Sequence, residues 1–170
     1  MKSLYAFCLL ITFSTFSYAQ DVTASTETTH FYLIRHAEKD KSNPENRNPH
    51  LTEKGQERAL KWREIFKHIE FDAVYSTQYH RTIETATPTA KANNLDIQFY
   101  DPRKLYSEAF KSATQGKTVL IVGHSNTTPA FVNAIIGQDK YKSIDESNNG
   151  NLYIISINDA TIIDKVLTIN

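Results

Sequence analysis

The chain has 170 residues, 40% hydrophobic and 22% charged, with 19 basic residues balanced by 19 acidic ones. That length suits one domain with its own core. A chain without a basic excess has no electrostatic footprint for nucleic acid, so any positive site is a local cluster.

The first nineteen residues read as an export signal. Lys2 supplies a positive start, Leu4 to Phe16 is mostly apolar, and Ser17 and Ala19 are the small residues that precede a cleavage site. The apolar run is too short and too rich in Ser and Thr for a membrane span. The expectation is therefore an exported protein, periplasmic or secreted, with no span after cleavage. Cys8, the single cysteine, lies in this segment, so the mature chain would hold no disulfide and no thiolate metal site. Loss of Lys2 with the signal leaves a net charge of −1. Residues 20–29 are polar, rich in Thr and Ser, and read as a flexible lead-in. Residues 30–170 read as a single domain without internal repeats.

Phe31 to Ile34 is a short apolar run, long enough for a buried strand and too short for a helix. It ends in Arg35-His36, a costly pair at the exit of a buried strand unless something there requires them. Lys39 to His50 holds two prolines and three asparagines and reads as a surface loop. A helix follows, with Thr52 as N-cap and Glu53 at its positive end. Ala59, Trp62, Phe66 and Ile69 recur at helical spacing, and Trp62 reads as core.

Phe71 to Ser76 predicts a second strand, Thr77 to His80 a turn, and Arg81 to Asn93 a second helix. Pro88 within that helix should kink it or shift its start. Leu95 to Tyr100 predicts a third strand, and a helix is expected from Pro102 to Thr114. Thr118 to Val122 is continuously apolar, as a strand covered on both faces should be. It runs into Gly123-His124-Ser125-Asn126-Thr127, and Pro129 to Ile136 predicts a helix closed by Gly137. Asp139 to Asn149 reads as loop. Leu152 to Ile157 and Ile162 to Leu167 predict a hairpin turning at Asn158-Asp159-Ala160.

Strand and helix alternate four times before the hairpin. That pattern predicts an α/β fold, a three-layer α/β/α sandwich around a mostly parallel six-stranded sheet. In such a sheet ligands bind beyond the carboxyl ends of the strands. Arg35 and His36, Arg81, and His124 are all expected at that edge, forming a cationic cup. Guanidinium forks match phosphate oxygens, and the helix after His124 directs the free amides of Ser125 to Thr127 at the same space. Phosphate is the natural guest.

Four segments together, Arg35-His36-Ala37, Leu51 to Ala59, Ser76 to Ala86, and Val122 to Thr127, resemble the histidine phosphatase superfamily, also called phosphoglycerate mutase-like. They come in the family's order and cover residues 30 to about 137. The resemblance implies a sheet ordered 3-2-4-1-5-6 with strand five antiparallel. It implies His36 as nucleophile, Arg35 and Arg81 as phosphate clamps, and His124 as a second histidine on the equatorial oxygens. Ser125 and Asn126 are further candidates for substrate binding.

The chemistry of those residues agrees. A neutral imidazole attacks phosphorus without a base, and splits one displacement into two through phosphohistidine. Nearby arginines should lower the pKa of His36, and a partner on its other ring nitrogen should fix the tautomer. The family more often has glycine where this chain has Ala37. Glu108 and Glu38 are candidate general acids, with Asp101 a third. His30, His50, His68 and His80 read as surface or strand-edge residues, with a substrate contact the lesser alternative for His80, beside Arg81.

The reading is a phosphatase acting on a phosphomonoester or phosphoramidate, on a phosphorylated small molecule or phosphoprotein. Relatives of this size are often phosphohistidine phosphatases. The alternative is a non-catalytic binder of phosphoryl ligands in the same cup. No cofactor is implied. No histidine-rich helix or aspartate pair stands at metal-ligand spacing, so no metal is expected, and the chain lacks the long insertions of the mutases.

Overall fold

The computed structural model describes residues 27–169; the expected signal segment, Cys8 and most of the lead-in lie outside the described residues. The elements follow in the order β1 (Thr29–Arg35), α1 (Glu53–Ile65), β2 (Ala73–Ser76), α2 (His80–Ala92), β3 (Ile97–Phe99), α3 (Glu108–Thr114), β4 (Thr118–Gly123), α4 (Thr127–Ile136), β5 (Asn151–Asn158) and β6 (Thr161–Thr168). They build one six-stranded sheet ordered β3-β2-β4-β1-β5-β6. β1 to β4 run parallel, while β5 pairs antiparallel with both β1 and β6. The sheet is thus mixed, with the order and the reversed fifth strand that the resemblance implied.

Alternation within the central strands divides the core into two layers. Phe31, Leu33, Val119, Ile121 and Tyr75 pack with Phe131, Val132 and Ile135 of α4 and with Phe110 of α3. Ile34, Leu120, Val122 and Val74 face the other way, onto Trp62 and Phe66 of and beside α1 and Ala86 and Ala90 of α2. Both faces of β1 and β4 are covered, which is why their sequences are continuously apolar.

Local signals explain most element ends. The Thr52 hydroxyl accepts from Gly55 N at 3.1 Å and caps α1. Gly137 closes α4 in the left-handed region at φ 67°, and Asp159 takes φ 50° in the two-residue turn between β5 and β6. Two expectations change. Pro88 sits inside α2 without shifting its start, which falls at His80. The helix expected from Pro102 begins only at Glu108, because Asp101 makes the preceding turn instead. Its carboxylate accepts from Arg103 N at 3.0 Å, its carbonyl accepts from Lys104 N at 2.9 Å, and Tyr106 takes a positive φ. Ser107 then caps the true helix, accepting from Phe110 N at 3.3 Å. Among the described residues no helix is long and apolar enough to cross a membrane.

Candidate active site

β1 and β4 are neighbours, with Arg35 paired to Gly123. The residues that follow them therefore leave the sheet side by side. His36 N donates to the Gly123 carbonyl at 2.9 Å, and the rings of His36 and His124 stand edge to face with centroids 5.4 Å apart. Arg81 arrives on the first turn of α2, after β2. Together with Lys39, Tyr79, Pro102, Ser125, Asn126, Thr127 and Glu146, these side chains line a cleft of about 330 Å³. Arg35, Lys39 and Arg81 outnumber its one carboxylate, Glu146, so an anion fits its charge.

The nucleophile candidate is held from three sides. His36 Nδ1 donates to the Ala37 carbonyl at 2.7 Å, which leaves the Nε2 lone pair available to the cleft. Asn149 Nδ2 donates to the His36 carbonyl at 2.9 Å, and Ala37 N donates to Thr85 Oγ1 at 2.9 Å. Ala37 is fully buried beside Leu51 and Ala59 and is not among the non-glycine residues with positive φ. A methyl group is therefore accommodated where the family more often has glycine.

Burial is the main reason the His36 pKa falls to about 3, with His124, Arg35 and Arg81 adding repulsion against the Ala37 hydrogen bond. The arginines thus contribute as expected but are not the leading cause. His124 is lowered to about 4, again chiefly by burial and then by Arg81, Lys39 and Arg35. Both imidazoles are neutral near pH 7.

Arg35 is 2% exposed, and its guanidinium is aimed by a loop the sequence showed only as loop. It donates to the carbonyls of Asp145 at 2.8 Å and Asn148 at 2.9 Å, and to Glu146 Oε2 at 2.9 Å. Arg81 lies over the Tyr79 ring, 4.5 Å from its centroid. The Nε atoms of both Arg35 and Arg81 are buried without a hydrogen-bond partner. Each such unsatisfied buried donor carries a desolvation cost.

The sequence motifs around the site act mainly as its frame. The Glu38 carbonyl accepts from Thr52 N at 2.9 Å and from the Thr52 hydroxyl at 3.2 Å. Gly55 lies against the same carbonyl; a Cβ there would stand 2.2 Å from the oxygen, so only glycine permits this docking. Thr85 Oγ1, besides accepting from Ala37 N, donates to the Arg81 carbonyl at 2.6 Å, linking nucleophile and clamp.

The proposed general acids fare differently from the clamps. Glu38 borders the neighbouring hollow, but Arg58 grips its carboxylate through Nε and Nη2 at 2.9–3.0 Å. Its pKa is lowered, the Arg58 bonds outweighing the opposing effect of burial. Glu38 is an anchor for α1, not a proton donor. Glu108 opens α3 and is not among the cleft-lining residues. Asp101 pairs with Arg103 at 2.9 Å and is held at about 2 by those bonds. His80, too, is absent from the cleft lining. The carboxylate that does line it is Glu146, which sequence reasoning missed. Bonds from Ser125 and Arg35 keep that carboxyl below its usual range.

The fold and site define a three-layer α/β protein with two histidines and two arginines gathered on one cleft. The histidine phosphatase superfamily (branch 1) matches residues 31–102. The chain thus carries a histidine phosphatase superfamily segment in a phosphoglycerate mutase-like fold. No curated protein matches it in sequence. Among solved structures, a putative phosphohistidine phosphatase SixA from Agrobacterium tumefaciens is 22% identical with a TM-score of 0.59, over 84% of this chain and 99% of that one. A putative alpha-ribazole-5'-P phosphatase from Escherichia coli is 18% identical with a TM-score of 0.65, over 83% and 96%. A phosphoserine phosphatase mutant from Entamoeba histolytica, in complex with phosphoserine, is 14% identical with a TM-score of 0.62, over 81% and 95%. At these identities the three structures are likenesses of fold.

Proposed function

We propose that this protein hydrolyses a phosphomonoester or phosphoramidate through a phosphohistidine formed on His36. The observation that carries the reading is the bond from His36 Nδ1 to the Ala37 carbonyl, which leaves Nε2 unprotonated at the cleft. In the first step the Nε2 lone pair forms a bond to phosphorus as the bond to the leaving group breaks, and the leaving group takes that electron pair. Arg35, Arg81 and His124 hold the non-bridging oxygens. In the second step water attacks phosphorus, the P–N bond returns its pair to Nε2, and the proton lost by the attacking water passes through solvent to the departed leaving group, which balances the reaction as inorganic phosphate is released.

Proton supply narrows the substrate. Glu38 is committed to Arg58, Glu108 lies off the cleft, and Glu146 is held ionised by Ser125 and Arg35. Without a protonated carboxyl at rest, good leaving groups are favoured. Phosphohistidine and phosphoramidate are such substrates, and aryl phosphates are usable surrogates. The expected export places the reaction outside the cytoplasm, on phosphorylated small molecules or protein side chains there. A mature N-terminus near Gln20 on natively expressed protein tests that placement, and an intact Met1 on soluble material overturns it.

The test of the covalent step is a base quench during turnover, since phosphoramidate bonds survive alkali and fail in acid. Mass spectrometry should find the phosphoryl group on His36. His36→Ala should lose the adduct entirely, and His124→Ala should form it slowly. Phosphate on His124, or turnover without any adduct, overturns the mechanism. A non-catalytic phosphoryl binder would bind phosphate and release none from any of these substrates.

A further inference from the structure

Among the described residues, one group of three metal-ligating side chains stands close enough to share an ion: His50, His80 and Glu84. One ligand atom from each lies within 4.8 Å of the others. None of the three lines the cleft, and the phosphatase reading uses none of them.

The placement follows from the chain. His80 and Glu84 are one turn apart on α2, the spacing that puts two side chains on the same face. His50 comes from the end of the 39–50 loop, just before α1. Three further contacts seat that loop on the start of α2. Asn48 Oδ1 accepts from His80 N at 2.9 Å, Glu84 Oε2 accepts from Leu51 N at 2.8 Å, and His50 Nδ1 is hydrogen-bonded to Glu84 Oε1. The two imidazoles stack with centroids 4.1 Å apart and planes 15° from parallel. The backbone thus delivers all three groups together, although His50 is 64% exposed and no core requires it.

We propose that His50, His80 and Glu84 bind a zinc-class divalent cation. Two imidazoles and a carboxylate are a recognised zinc donor set, with water completing the tetrahedron. Calcium and magnesium prefer oxygen ligands, so the two nitrogens select against them. Tetrahedral ligands at zinc distances are about 3.4 Å apart, and the exposed His50 ring can fan open to close the remaining gap. The ion replaces the hydrogen bond between His50 and Glu84 and ties the 39–50 loop to the first turn of α2. That turn also carries Arg81, so the metal stiffens one wall of the cleft and adds positive charge beside the clamp. This site does not depend on the phosphatase assignment.

The experiment is calorimetric titration of the whole protein with ZnCl₂ in a phosphate-free buffer, with Co²⁺ absorption reporting ligand geometry. We expect one ion per chain, a tetrahedral Co²⁺ spectrum and a rise in Tm with added zinc. His50→Gln and His80→Gln should each weaken binding by about tenfold or more. The cleft histidines are the competing ligands, so His36→Ala combined with His124→Ala serves as control and should leave the affinity unchanged. Zinc binding that survives His50→Gln with His80→Gln, binding lost in the cleft control, or no binding by the wild type would each overturn the proposal. The wild-type titration does not depend on any variant folding.

Discussion

Thr77 Oγ1 lies 2.9 Å from Nε2 of His124 and 3.0 Å from the hydroxyl of Thr82. Thr77 is fully buried, so this hydroxyl has few alternatives. A hydrogen bond donated from Thr77 to Nε2 fixes the His124 tautomer with its own proton on Nδ1. Thr77→Val removes that control at nearly constant volume. The expected loss is about 1–1.5 kcal/mol of transition-state stabilisation, or roughly tenfold in kcat. Thr77→Ser should restore it. Unchanged kcat in the valine variant, with native circular dichroism, would show that Thr77 plays no part in positioning His124.

Arg81 combines a cation–π seat on Tyr79 with an orphaned Nε. Arg81→Lys keeps the charge and loses the fork. Turnover should fall by about 10²-fold, the size of removing one preorganised donor. Full activity in this variant would exclude a bidentate contact.

Burial of His36 and His124 as neutral rings makes stability depend on pH. Their folded values, about 3 and about 4, lie below the ~6.5 of a free imidazole. As pH falls, the unfolded chain takes up these protons first. It therefore binds more protons than the folded chain across that interval, and stability falls with decreasing pH from about 6.5 towards 3. Between about pH 5 and 6.5 carboxylates are ionised in both states, so the slope there belongs to histidine. Tm should drop across that window, and less steeply in His124→Gln. An identical slope in the variant would contradict the burial argument.

Glu146 places a carboxylate 2.9 Å from Arg35 Nη2, a donor that the proposed reading assigns to phosphate. The side chain is 62% exposed, so its repulsion of a phosphate belongs at the water-like end of Coulomb's law, about 1 kcal/mol at 4 Å. Glu146→Gln keeps the shape and removes the charge. KM and the inhibition constant for inorganic phosphate should both fall roughly fivefold, less so at high salt. A collapse of kcat confined to poor leaving groups would instead make Glu146 the proton donor.

Much of this site was legible before folding. Arg35-His36 and His124 announce themselves as polar residues at the ends of continuous apolar runs, a pattern with a high desolvation cost. The frame residues Thr52 and Gly55 were visible as a helix start, though not as the dock for the Glu38 carbonyl. Glu38 looked like an acid because it follows the nucleophile, and its grip by Arg58 twenty residues on carries no local signature. Asp101 spoiled the helix expected from Pro102, since a short carboxylate competes for nearby amides in turns.

The sequence by itself determined the order of strands and helices, the burial of β1 and β4 on both faces, and the residues delivered to the sheet edge. These follow from local periodicity and from the cost of burying unpaired polar groups. Tertiary structure alone decided what holds those residues. β5 runs antiparallel to β1, so the 139–149 loop enters the sheet at the very edge where the parallel strands leave it. Asp145, Glu146, Asn148 and Asn149 thereby reach Arg35 and His36 from more than a hundred residues away. Asp145 and Asn148 act through backbone carbonyls, which every residue type possesses, while Glu146 and Asn149 act through side chains that only the fold brings into reach, so no local pattern disclosed them.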